Sequence, residues 1–153
     1  MNQVQLKQFL YQANLAGYAS GEEKQWTKEP DGSTTIVFEK NGLKSHDNYF
    51  GGEPYGGRII VSEKEKPVWL MVYYGWVEPG QEKEAVYGVL RNALKQMPKE
   101  MPLRGPNQYQ EAQYFYINST LGGVEQFSGT EQITIQDQVI YQAWYMGGLV
   151  DQS

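Results

Sequence analysis

The chain contains no cysteine. That one absence removes disulfide staples, thiolate metal sites and thiol nucleophiles together. Histidine is nearly absent too, His46 being the only one; with Asp47 and Glu53 nearby it raises the idea of a metal site or dyad. One imidazole and no thiolate leave too few good zinc ligands, so no metal is expected and His46 reads as a turn cap. No serine lies in a nucleophile elbow, which argues against a serine hydrolase. The Gly-rich segments lead into strands and not into helix N-termini, so no phosphate-binding loop is present. No apolar run approaches the roughly 20 residues of a membrane-spanning helix. The opening "MNQVQLKQFL" has neither the basic leader nor the apolar core of a signal peptide. A cytoplasmic protein without membrane contact is expected. Basic residues are outnumbered 13 to 18, for a net charge of −5. They form no stripe, and the nearest candidate, "EKEK" at 63–66, alternates in sign like a solvated turn. Counterion release supplies most nucleic-acid affinity, so direct nucleic-acid binding is not expected.

What is present suits a globular chain: 40% hydrophobic and 20% charged residues over 153 positions give one domain, 1–153, able to bury a core. Seventeen glycines and 12 tyrosines tilt the reading toward strands and turns. The spacing of Val86, Val89, Leu90, Ala93, Leu94 and Met97 predicts a helix over 81–97, stopped by Pro98. A second helix over 3–16 would bury Val4, Leu6, Phe9, Leu10 and Ala13, with Gly17 as its C-terminal cap. Strands are expected at 34–39, 68–77, 113–118 and 139–146. Both alternating faces of 68–77 and 139–146 are apolar, so each strand should be covered on both faces or line a cavity.

The segment "YFGGEPYGGRIIV" at 49–61 recurs at a shift of 72 positions. Glu53 falls on Glu125, Tyr55 on Phe127, Gly57 on Gly129, Val61 on Ile133, Trp69 on Tyr141, Tyr73 on Tyr145 and Gly75 on Gly147; the pairs Gly51-Gly52 and Gly122-Gly123 fit with a one-residue slip. The same residue types in the same order indicate an internal repeat, about 1–79 and about 80–150. The expected fold is therefore α+β with two pseudo-symmetric halves, each one helix packed on a bent antiparallel sheet of three to four strands. The glycines are expected to mark bulges that bend those sheets into a concavity.

The run "HDNYFGGEPYGG", then "PVWLMVYYG", "RGP" at 104–106, "FSGTEQI" and "YMGG" resembles a bacterial domain of unknown function, over nearly the whole chain from the first helix to Gly148. In many relatives that domain follows a helix-turn-helix of the Cro/phage-repressor type. The resemblance implies a sensor or effector-binding domain of a transcription regulator. The family's aromatic-x-Gly-x-Glu pattern is intact at Phe127, Gly129 and Glu131, whereas the first half has Ile59 at the Glu position. A function needing a symmetric pair of those carboxylates is not supported.

Alternation places Glu131 on the face of Ile133 and Ile135, where a buried carboxylate must be paired or protonated. It reads as a salt bridge, with Arg104 as a candidate partner, or as exposed at the start of its strand; a tuned acid or an anchor for a cationic ligand is the functional alternative. Trp69, Met71 and Tyr73 share one strand face, and Tyr141, Ala143 and Tyr145 share the matching face of the other. Facing one another across the repeats, Trp69, Tyr73, Tyr141 and Tyr145 would wall a cleft for a flat or cationic organic molecule, with Glu131, Glu53 and Arg104 as polar anchors. The expected function is non-enzymatic small-molecule binding or sensing, with no cofactor. Two alternatives stand beside it. One is an enzyme using paired carboxylates such as Glu53 and Glu125, which would need to lie roughly 5 to 9.5 Å apart. The other is an interaction or homodimerisation module pairing through exposed Gly-rich edges.

Overall fold

The computed structural model describes residues 1–19 and 25–151. Helix α1 (Gln3–Ala19) is followed by strands β1 (Gln25–Lys28), β2 (Thr34–Lys40), β3 (Leu43–Phe50), β4 (Tyr55–Glu63) and β5 (Lys66–Val77). Helix α2 (Lys83–Lys95) then leads through a connector to β6 (Gln108–Glu111), β7 (Tyr114–Gly123), β8 (Gln126–Ile135) and β9 (Gln138–Leu149). All nine strands form one sheet in the order β1-β2-β3-β4-β5-β9-β8-β7-β6, and every neighbouring pair is antiparallel.

This corrects the expected architecture: there are not two separate sheets with a helix each, because β5 pairs with β9 along most of its length, from Trp69↔Leu149 to Val77↔Tyr141. Each of these strands is apolar on both faces, and each satisfies its backbone groups by pairing with the other at the middle of the sheet. The glycine expectation is corrected as well. Bulges interrupt the register at Val61/Ser62 and Ile133/Thr134, not at glycines. Gly129 instead permits close packing, since a Cβ there would lie 2.2 Å from Cζ of Tyr145.

Two-residue turns join several strands. Asn41 and Gly42 take φ of 53° and 80° between β2 and β3, the left-handed pair that matches hairpin twist. Lys64-Glu65 (49°, 67°) and Gln136-Asp137 (48°, 64°) do the same with ordinary side chains. The edge strands are "QWTK" and "QYQE", so the Gly-rich segments are not edges, contrary to the expectation for an edge-pairing module. His46 lies inside β3, paired with Val37 and Ile60, and not at a turn.

Both helices bury one stripe. Helix α2 buries Val86, Val89, Leu90, Ala93 and Leu94, as its 3.6-residue period predicts. Helix α1 buries Leu6, Phe9, Leu10, Ala13 and Ala16, while Val4 is exposed. Its start is a reciprocal cap: the Gln5 N–H donates to Asn2 Oδ1 at 2.9 Å and the Asn2 N–H to Gln5 Oε1 at 3.2 Å. It runs two residues past Gly17, which is therefore not its cap.

Around α1 pack Phe38, Leu43, Val61, Trp69, Met71 and Phe127; around α2 pack Tyr116, Ile133, Ile140, Tyr141 and Ala143. The connector at 97–106 is pinned between them. Asn14 Nδ2 donates to the Pro102 carbonyl at 3.1 Å, Asn118 Nδ2 to the Gly105 carbonyl at 2.9 Å, and the Gly105 N–H to the Tyr116 hydroxyl at 3.1 Å. No described helix is long and apolar enough to cross a membrane.

Candidate functional site

Alternation on the first-half strands sets side chains on the helix-bearing face. Asp47 and Tyr49 from β3, Tyr55 and Ile59 from β4, and Met71 and Tyr73 from β5 all border a cavity of about 530 Å³. Trp26 of β1, Tyr87, Leu90 and Arg91 of α2, and Leu103 and Arg104 of the connector complete its walls. The lining runs from Asn14 to Arg104. The cavity thus belongs to the first five strands, the helices and the connector, and does not lie between facing β5 and β9 side chains.

Three of the phenols around it, Tyr55, Tyr73 and Tyr87, are held by specific partners. The Tyr73 hydroxyl donates to Asp47 Oδ1 at 2.5 Å, and the Tyr55 and Tyr141 hydroxyls share a bond of 2.5 Å. The Tyr87 hydroxyl donates to Glu53 Oε2, and Glu53 Oε1 accepts the Val77 N–H at 2.8 Å. Rings pack at angles: Tyr55 against Tyr73 at 6.0 Å, Tyr55 against Tyr87 at 6.1 Å, and Tyr87 against Tyr141 at 6.2 Å between centroids. Such offset and edge-on pairs add roughly 0.5–1.5 kcal/mol each beyond their area.

Behind this wall sits an ion pair. Glu131 is fully buried; both Nε and Nη2 of Arg104 lie 2.7 Å from its Oε1, and the Tyr116 hydroxyl donates to its Oε2 at 2.5 Å. Of the alternatives open for Glu131, the ion pair with Arg104 is the one present, and exposure is not. It satisfies the carboxylate from two sides, which a buried charge requires.

Burial, with the charge of Asp47 second, pushes the Tyr73 hydroxyl well above its ordinary pKa. Burial also raises Tyr87, reinforced by its bond to Glu53, and it raises Tyr116 and Tyr141, with the charge of Glu131 adding to both. For Tyr55 burial again dominates, and the nearby Arg104 guanidinium offsets part of the rise. These phenols stay protonated; the three that line the cavity, Tyr55, Tyr73 and Tyr87, are suited to holding a molecule and poorly suited to taking a proton from one.

The residues anticipated from sequence fall into different places. Tyr73 and Arg104 line the cavity, Glu53 anchors one of its walls through Tyr87, and Glu131 stands behind Arg104. Trp69 is core: it is buried, stacks on Phe127 at 5.6 Å and donates from Nε1 to the Val124 carbonyl at 2.7 Å. Tyr141 is buried under α2, reaching the cavity only through Tyr55. Tyr145 pairs directly with Tyr73 across β5 and β9, but its hydroxyl turns to Asn118 Oδ1 at 2.6 Å and Thr120 Oγ1 at 2.5 Å.

Glu53 and Glu125 are not brought together. Glu53 bonds to Val77 at one end of β5, whereas the Glu125 carbonyl accepts the Leu149 N–H opposite Trp69. From Trp69 to Val77 is roughly 26 Å at about 3.3 Å per residue. Among the described residues no group of three His, Cys, Asp or Glu could hold a metal ion.

Trp26, Tyr49, Tyr55 and Tyr87 are not among the site residues expected from the sequence, and Asp47 enters there only as a neighbour of His46, not as a cavity residue. Tyr55 had a signal, since the alternation Tyr55-Gly57-Ile59-Val61 puts it on the face of the core residue Val61. Tyr87 sits beside the apolar stripe of α2, one position from Val86. The position of Trp26 depends on the sheet order and has no local signature.

A family model described as a domain of unknown function, DUF5680, matches residues 47–150. The match begins at Asp47 and takes in the cavity residues of β3, β4, β5, α2 and the connector, leaving out α1, β1 and β2. No match to the chain was found among curated proteins or among solved structures. Since the DUF5680 model spans well over half of the sequence, from β3 through β9, the chain belongs to that family.

Proposed function

We propose that this domain binds a flat organic molecule in the cavity between α2, the connector and β1–β5, and that it does so without covalent chemistry. The observation that supports this most is the composition of the cavity wall. Five aromatic side chains, Trp26, Tyr49, Tyr55, Tyr73 and Tyr87, surround a space of about 530 Å³, the size and character of a small-molecule site. The hydroxyls of Tyr73, Tyr55 and Tyr87 are tied to Asp47, Tyr141 and Glu53, which fixes these three rings before a ligand arrives and lowers the ordering cost of binding. Arg104, held by Glu131, sets one charged point on a wall to which Asn14, Asp47 and Arg91 add further polar groups. The neighbours implied by the sequence resemblance would make the bound molecule an effector and the domain a sensor.

We also infer that β2–β5 and β6–β9 descend from one strand unit, now merged in a single sheet. Moved by 72 positions, β5 (66–77) falls on β9 (138–149), the bulge at 61/62 on that at 133/134, and the turn 64–65 on the turn 136–137. The second copy fills the matching region with Tyr116, Ile133 and the Glu131 pair.

The test is a thermal-shift panel of aromatic acids, amines and neutral heterocycles against the wild-type chain and Ile59→Trp, which places an indole in the cavity. A compound at 100 times its Kd adds about 2.7 kcal/mol, a rise of roughly 5–11 °C for a chain of this size. At least one compound should stabilise the wild type and leave Ile59→Trp unmoved. Equal shifts in both proteins, or none across the panel, would overturn the reading.

A further inference from the structure

The helices cover one face of the sheet only, and the opposite face is not a polar one. At its centre Val72, Tyr74, Trp144 and Met146 are 42–58% exposed, and Leu121 on β7 is 76% exposed. Val72 pairs with Met146 and Tyr74 with Trp144 across the β5–β9 seam, and Trp76 stacks on Trp144 at 5.1 Å. A shallow groove of about 620 Å³ runs over them. An antiparallel sheet with one solvated face normally alternates apolar inward and polar outward; here the outward positions are apolar too. Packing within the chain does not account for them, because nothing among the described residues covers them.

We infer that a second copy of this chain covers this face, the two sheets stacking about 10 Å apart as in a sandwich. Three observations select that occupant. The first is area. At roughly 150–250 Å² per large aromatic side chain, Tyr74, Trp144 and their aliphatic neighbours leave on the order of 500 Å² of apolar surface in water, in the upper part of the roughly 300–600 Å² range of the largest, often functional, patch on a monomer. With the uncharged rim of Ser119, Ser128 and Thr130 the face approaches the ~800 Å² per partner of a stable interface, with its apolar centre and polar border.

The second is charge. Two chains of net charge −5 repel except where they meet on uncharged surface. The outward positions 68–76 of β5, 142–146 of β9 and 128–132 of β8 carry no charged residue, and Arg58 on β4 stands at the margin opposite Val72. The absence of a cationic cluster also disfavours an anionic membrane or nucleic acid as the occupant.

The third is the edges. Strands β1 and β6 are four residues long and largely polar, the design that blunts edge-to-edge pairing. Self-association therefore falls to the sheet face, in an isologous contact that closes after two copies.

Sedimentation velocity across the micromolar range tests this, on the wild-type chain and on Trp144→Lys/Met146→Lys, with Leu121→Lys as a second variant should the first fail to fold. The wild type should sediment as a concentration-dependent dimer. Either variant should weaken it about a hundredfold with unchanged far-UV circular dichroism. A wild-type chain that stays monomeric overturns the inference, as does a dimer that survives both variants, which would point to edge pairing. A monomer that floats with phosphatidylcholine vesicles would assign the face to lipid and also overturn it.

Discussion

Replacing Arg104 by methionine strands the carboxylate of Glu131, a side chain that is 0% exposed while Arg104 is 13% exposed. The loss removes two contacts of 2.7 Å to one oxygen and leaves only the Tyr116 hydroxyl on the other. Breaking one partner of a buried pair costs about 3–5 kcal/mol because the remaining charge is uncompensated. At roughly 2–4 °C per kcal/mol for a chain of this length, Arg104→Met should melt about 6–20 °C below the wild type. Glu131→Leu should also be costly, since it removes the carboxylate that neutralises the largely buried guanidinium. The double variant Arg104→Met/Glu131→Leu should recover most of the loss, apolar replacement of a whole buried pair being near neutral. Urea unfolding of the four proteins at constant pH gives the coupling energy directly. A coupling below about 1 kcal/mol, or a double variant no better than the worse single one, would refute the view that the pair is a desolvated unit held behind the cavity wall.

Three further outcomes follow from the packing. Tyr55, Tyr73, Tyr87, Tyr116 and Tyr141 all have hydroxyls raised above their ordinary pKa, so above pH ~10 the unfolded chain releases protons that the folded one keeps. Their contribution is complete below that pH and lost as pH rises; tyrosinate absorbance should show the exposed phenols titrating first and these five appearing together with unfolding. Gly129→Ala should cost about 1–3 kcal/mol, its Cβ meeting the Tyr145 ring at 2.2 Å, whereas Gly52→Ala, which meets nothing within 4 Å, should be near neutral in the same denaturant assay. Changing Gln136-Asp137 to Asn-Gly should raise stability by about 0.5–1 kcal/mol for each residue, since both sit in left-handed backbone; a lower urea midpoint would contradict that.

Local patterns in the sequence carried the elements well. The helix expected at 81–97 is α2 at Lys83–Lys95, and the strand expected at 68–77 is β5 at Lys66–Val77, because apolar periodicity and Pro98 are local signals. The partner of a strand is not local. Residues 68–77 and 139–146 are apolar on both faces, a pattern that reads as covering layers or a cleft; pairing β5 with β9 puts one face under the helices and leaves the other uncovered within the chain. Trp69 and Tyr141 showed the same limit. Aromatic residues on matched faces read equally as cleft wall or core, and the position of α1 and α2 over the sheet decides for core. Glu131 was legible because a carboxylate among Ile133 and Ile135 demands a cation, and Arg104 is the residue that the pinned connector delivers. Asp47, in the polar run "LKSHDNYF", gave no apolar period to read.

A crystal structure with a compound that raises the melting temperature bears most directly on the central claim. Electron density for the compound among the rings of Tyr55, Tyr73 and Tyr87, with the Arg104–Glu131 pair intact behind them, is the predicted result. Density on the opposite face of the sheet, or a cavity closed by rotated tyrosine rings with the compound elsewhere, would contradict it.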